Sequence, residues 1–217
     1  MSDIPADTPR RGRGRPRIID RQAALDAAVR LFWERGYDGA SLTDLTGAMG
    51  LSRPSLYAAF GDKDALFLRA LGRYGETIGA DPMVAFERAI DIQTATRAFL
   101  ETSLRSNTAP DMPPGCLFAC CAGTVATQDT RVASFLSQVM EGTAARLTNR
   151  FAAATSNGLL TACPTPATRA TLTIDMMNAQ AIRARAGATR EDLMADLDAR
   201  VDAVLLVKEV TSVSKPR

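Results

Sequence analysis

Residues 41–61 read SLTDLTGAMGLSRPSLYAAFG. Ser41-Leu42-Thr43-Asp44 has the form of a capping box: a hydroxyl residue at the N-cap and an acid three positions on. It opens a helix to about Met49, with Leu42, Leu45 and Met49 on one face. Gly50 supplies the left-handed stop. Ser52 then caps a second short helix, Arg53 to Ala59, which tolerates Pro54 in its first turn. Gly61 ends it. Two short capped helices joined by a three-residue turn are the grammar of a helix-turn-helix. The second helix is roughly 10 Å long, a fit for a major groove about 12 Å wide.

Turning 100° per residue sorts the faces of that second helix. Leu56 and Phe60 lie together and belong to a core. Pro54, Ser55 and Ala58 lie opposite, where small side chains allow close approach to a groove floor. Ala58 can touch a thymine methyl, and Ser55 can donate or accept at a base edge. Arg53, at the helix start, has the reach to pair with guanine O6 and N7. Tyr57 sits on the flank, at phosphate height. Lys63 opens the next helix, where free backbone N–H groups favour an anion, so a phosphate would account for a cation placed there.

Outward from this unit the chain keeps helical periodicity, with no repeat and almost no strand signal, and predicts an all-α fold of about nine helices. A first helix begins after Asp20 and runs to about Arg35 before Gly36, burying Leu25, Ala28, Val29 and Phe32. Asp62 caps a helix from Lys63 to about Gly79. Beyond it, residues 83–106 hold one or two helices, and a Pro-rich break spans 110–115. A short apolar run covers 116–125, and helices follow over about 130–154, 167–186 and 190–210. The expected division is a basic arm (1–17), a helix-turn-helix domain (18–79) and a helical body (80–217).

The charge layout supports an acidic partner. The net charge is +2, and all of the excess lies in residues 1–80, which carry 12 Arg or Lys and 10 Asp or Glu. Arg10, Arg11, Arg13, Arg15 and Arg17 are interleaved with Gly12, Gly14 and Pro16, which rules out a helix there. Arg13-Gly14-Arg15 lets two arginines follow a narrow, A·T-rich minor groove. A balance of only +2 argues against a non-specific architectural binder, which depends on phosphate neutralisation.

Enzymatic classes fare poorly. The 217 residues contain no histidine, which removes histidine triads, histidine proton shuttles and Cys₂His₂ zinc sites. There is no G-x-S-x-G, no Walker loop and no dinucleotide turn. No run is long and apolar enough for a membrane span, and no apolar segment follows the basic N-terminus as in an export signal. The expectation is a cytoplasmic protein with reduced cysteines, needing no cofactor and no metal.

These residues carry a resemblance. Residues 17–66 resemble the DNA-binding domain of the tetracycline-repressor-like (TetR/AcrR) transcriptional regulators, through Ala24–Gly36 (ALDAAVRLFWERG), Ser41–Ser52 and Ser55–Leu66 (SLYAAFGDKDAL). The Leu56-Tyr57-x-x-Phe60 and Lys63-x-x-Leu66 spacings carry most of it. The resemblance implies a homodimer on a palindromic operator, a helical ligand-binding body, and repression relieved by a small effector. It places Ser41, Thr43, Ser52, Arg53, Ser55, Tyr57 and Lys63 where such proteins touch double-stranded DNA. Ala58 and Ala59 depart from the aromatic or polar residues often found there, which leaves operator preference to Arg53, Thr43 and the arm.

For the body, the resemblance assigns dimerisation to the last two helices. Leu172 and Met176 on one, and Leu193, Leu197, Val201, Val204 and Leu205 on the other, are the expected interface. An effector cavity is expected among Phe86, Phe99, Phe118, Phe135, Met140, Met176 and Met177, since methionines make adaptable walls. A rival sensor is the group Cys116, Cys120 and Cys121, which could work by thiol redox chemistry or bind a soft metal ion. Small buried hydrophobes are the plainer account of the three thiols.

Overall fold

The computed structural model describes residues 20–206. Within them the chain forms eleven α-helices and no strand. Four make the head: α1 (Arg21–Gly39), α2 (Leu42–Met49), α3 (Arg53–Phe60) and α4 (Lys63–Glu76). A single 3-10 turn, Ile78–Ala80, leads into α5 (Asp81–Arg88) and α6 (Ile92–Asn107). A π turn, Phe118–Ala122, precedes α7 (Gly123–Ala126), and the long pair α8 (Thr130–Ser156) and α9 (Pro166–Arg185) follows. The expected last helix divides into α10 (Arg190–Met194) and α11 (Leu197–Leu205).

Each head helix is capped as the sequence predicts. Side-chain oxygens of Asp20, Ser41, Ser52 and Asp62 accept first-turn amide protons, satisfying donors that otherwise lack partners. Gly36 (φ 73°) breaks α1 before its final turn. Gly50 (φ 64°) sets the left-handed stop between α2 and α3.

Two large apolar cores form, beside a small cluster of Leu104, Ala184 and Leu193. Under the head, Phe32, Trp33, Leu45, Leu56, Leu66 and Phe67 are fully buried. Leu117, Cys121, Ala122 and Val132 join that same cluster, so the core crosses the expected division at residue 79. The second core, in the body, gathers Phe86, Phe99, Phe151, Leu197 and Val201.

Polar ties reinforce this joint. Trp33 Nε1 donates to the Gly115 carbonyl at 3.1 Å. The Arg185 guanidinium, in the last turn of α9, donates to the carbonyls of Trp33 (2.8 Å), Glu34 (3.0 Å) and Pro114 (3.2 Å). The first two carbonyls lie just before the Gly36 break, so a cation sits where the α1 dipole favours one.

The expected dimer stripe is corrected here. Leu193, Leu197, Val201, Val204 and Leu205 are all buried within the single chain. α11 folds back onto α6 and α9, so its apolar face is satisfied without a partner. Arg169, itself fully buried, fixes that arrangement by donating to the carbonyls of Val204, Leu205 and Thr161. The inner face of α9 is thus partly polar, with Arg169, Thr173 and Gln180 inside. Ile182, by contrast, is 56% exposed on its outer face. No helix among the described residues is long and apolar enough to cross a membrane.

Candidate nucleic-acid interface and body cavity

α3 is held by its inner side and free on its outer side. Leu56 and Phe60 are buried in the head core, while Arg53, Pro54, Tyr57 and Ala58 are exposed and Ser55 is half-buried. Tyr57 is 48% exposed, an uncommon degree for so large a ring. Short side chains at Pro54, Ser55 and Ala58 leave the backbone of α3 open to close approach.

The polar groups around α3 are linked to one another. Arg53 Nη2 donates to Thr43 Oγ1 at 2.9 Å, which ties α2 to the start of α3. This bond reduces the rotamer freedom that Arg53 would lose on pairing with a base. Ser52 Oγ lies 2.8 Å from Ser55 Oγ and accepts from the Ser55 amide at 3.3 Å. Ser41 completes the capping box with Asp44. Its hydrogen bonds hold the Asp44 carboxyl below the usual carboxylate range, with Arg35 at 3.3 Å adding to the effect. Of the residues expected to touch DNA, Ser41, Thr43, Ser52, Arg53, Pro54, Tyr57 and Ala58 are all exposed. Arg13 and Arg15 lie outside the described residues.

Lys63 has a partner that its local sequence did not reveal. Its Nζ stands 4.3 Å from the centroid of the Tyr37 ring, a cation–π contact. The Tyr37 hydroxyl donates to Asp64. Burial, followed by that bond and the nearby carboxylates, pushes the phenol well above its ordinary pKa. Lys63 is therefore steadied by the end of α1 before any phosphate binds. The missing signal was spatial, because Tyr37 is 26 positions away.

Behind the head, α4 and the body line a partly open cavity of about 70 Å³. Of the residues expected there, Phe99, Phe118 and Met177 line it, together with Tyr74, Ser103, Asn107 and Cys116. The other four do not line this cavity. Phe86 is buried in the body core, edge-on to Phe99 and Phe151, with the Arg150 guanidinium over its ring. Phe135 stands behind the wall, edge-on to Phe118 at 5.9 Å. Met176 packs half-buried against the body core, and Met140 is 52% exposed. Helical spacing carries no information about which void a side chain borders, and at Met140 it does not report burial either.

Of the four thiols, Cys121 is buried, Cys116 and Cys120 are half-buried and Cys163 is exposed. Burial pushes Cys116 up, and it pushes Cys121 up to about 11 even though Arg185 acts to lower it. The Tyr74 hydroxyl donates to Cys116 Sγ at 3.3 Å. No cluster of three or more Cys, Asp or Glu among the described residues could hold a metal ion.

Comparisons with known proteins agree with this geometry. Residues 24–70 match the family model of bacterial regulatory proteins, tetR family. The chain is similar to the HTH-type transcriptional repressor ComR of Escherichia coli (strain K12), 38% identical over 108 residues, 49% of this chain and 51% of ComR. It is also similar to the repressor BdcR of the same strain, 46% identical over 61 residues, 28% of this chain and 31% of BdcR. The chain thus spans about half or less of the length of these curated relatives. Among solved structures, a cysteine mutant of the TetR family transcriptional regulator CifR, complexed with 26-bp operator DNA, superposes with a TM-score of 0.79. That match is 32% identical and covers 87% of this chain and 99% of the CifR chain. With that coverage, and with the family's head on α1 to α4, the protein belongs to the TetR family of transcriptional regulators.

Proposed function

We propose that the protein is a homodimeric DNA-binding repressor that reads a palindromic operator through α3 and is released by a small molecule in the body cavity. The observation that carries this is the outward face of α3: anchored by Leu56 and Phe60, lined by small side chains, with Arg53 already held by Thr43. The operator complex of CifR and the repressor names of ComR and BdcR support it. The arm arginines Arg13 and Arg15 would add minor-groove contacts.

A palindrome requires a two-fold partner. The surface we assign to it is the outer face of α9, where Thr171, Asp175, Ala179 and Ile182 are exposed and Leu172 and Met176 lie half-buried. Release would be a population shift, with ligand favouring a body arrangement that moves the two heads off operator spacing. The second reading, thiol or metal gating through Cys116, Cys120 and Cys121, has less support, because burial disfavours the thiolates at Cys116 and Cys121 and the thiolate is the reactive form.

The test compares two substitutions on the preferred operator and on unrelated duplexes. Arg53→Ala is expected to weaken the operator by about 1–3 kcal/mol and to flatten preference at one base pair. Lys63→Ala is expected to weaken all duplexes alike and to reduce the salt slope by about one unit. If Arg53→Ala binds every duplex as the parent does, α3 is not the reading helix.

A further inference from the structure

The chemistry of the cavity wall identifies the class of molecule it accepts. Its 70 Å³ is roughly half of an engineered apolar cavity of about 150 Å³ that takes benzene. None of its fifteen lining residues is Asp, Glu, Lys or Arg. The two ionisable groups present, the Cys116 thiol and the Tyr74 phenol, are both pushed up by burial and stay neutral. An ion entering this space would lose its hydration without gaining a counter-charge, a large cost.

The wall is not uniformly apolar. Asn107, at the end of α6, is 3% exposed. Among the described residues its side-chain amide makes one long bond, Nδ2 to Ser103 Oγ at 3.4 Å. An amide offers two donors and a carbonyl with two lone pairs, so most of its capacity remains free to pair with a molecule in the cavity. The same wall carries the apolar side chains of Phe99, two turns before Asn107 on α6, and of Phe118 and Met177 from other elements. We infer that the cavity takes a compact uncharged molecule, with an amide, carbonyl or hydroxyl head paired to Asn107 and a short apolar tail between Phe99, Phe118 and Met177. This rests on the proposal that the cavity gates DNA binding, and it names the class of effector.

Three probes on one carbon frame test it with the full chain: propionamide, propionate and n-propylammonium. Binding is followed through the methyl resonances of labelled methionines, which requires no substitution. Propionamide is expected to bind at least about ten-fold more tightly than either ion and to shift Met83 and Met177 while leaving Met140 in place. Asn107→Leu is expected to weaken propionamide by about ten-fold or more. Val139→Phe, which fills the cavity without removing a buried polar group, is expected to abolish its binding. Equal or tighter binding of an ion, no binding of propionamide, or shifts confined to Met140 would overturn the inference. Operator affinity is measured separately with each probe. Cavity binding of propionamide without loss of DNA affinity would support the ligand class and contradict gating. DNA release by an ion alone would do the reverse.

Discussion

Trp33→Ala is expected to cost about 3–5 kcal/mol of stability, the usual range for deleting a fully buried large aromatic. Trp33 is the chain's one tryptophan and is completely enclosed. Its ring meets Tyr74 edge-on at 5.1 Å, and Nε1 satisfies the Gly115 carbonyl. Trp33→Phe separates the two contributions. The smaller ring keeps much of the packing but strands the carbonyl, so a loss of about 1–3 kcal/mol is expected for the unpaired acceptor alone. Urea denaturation followed by circular dichroism measures both variants. A Phe variant as stable as the parent would mean that the bond from head to body adds nothing.

Gly115→Ala is the second large effect. Gly115 has φ +82°, and a Cβ there would sit 2.8 Å from the Ala181 carbonyl oxygen and 2.9 Å from Cys120 Sγ. The left-handed backbone costs about 1–2 kcal/mol for a residue with a Cβ. Forcing α9 away adds about 1–3 kcal/mol of overpacking. A destabilisation of about 2–5 kcal/mol is expected in thermal or urea unfolding. Gly123→Ala is the control: it lies on helical backbone (φ −59°) with no atom within 4 Å of the added carbon. There the outcome is neutral or a gain of about 0.4–1 kcal/mol. Equal losses in the two variants would contradict the close approach of α9 to Gly115. Because Arg185 and Trp33 meet at the same place, Gly115→Ala is also expected to alter coupling between cavity and head.

The head was legible in the sequence because its determinants are local. Caps at Ser41 and Ser52, the stop at Gly50 and the Leu56/Phe60 pair act within one or two turns, and the structure keeps each of them. The body was legible only as helices. The stripe Leu193, Leu197, Val201, Val204 and Leu205 announced a buried face, but periodicity does not say whether the same chain or another copy buries it. Here the same chain does. Buried Arg169 ran against the usual rule that arginine stays in water, since its partners are carbonyls at the far end of α11. Lys63 over Tyr37, and Arg185 against Trp33 across 152 positions, were hidden for the same reason. Contacts between distant residues leave no spacing signature.

The central claim is that α3 faces outward to read bases. Selection of bound sequences from a pool of random duplexes, at low and at moderate salt, tests it most directly. The expected result is an enriched, two-fold symmetric site whose half-sites lie one helical turn or a multiple of it apart, with one base pair losing its preference in Arg53→Ala. Recovery of no sequence above background, or of a site that Arg53→Ala leaves unchanged, would contradict it.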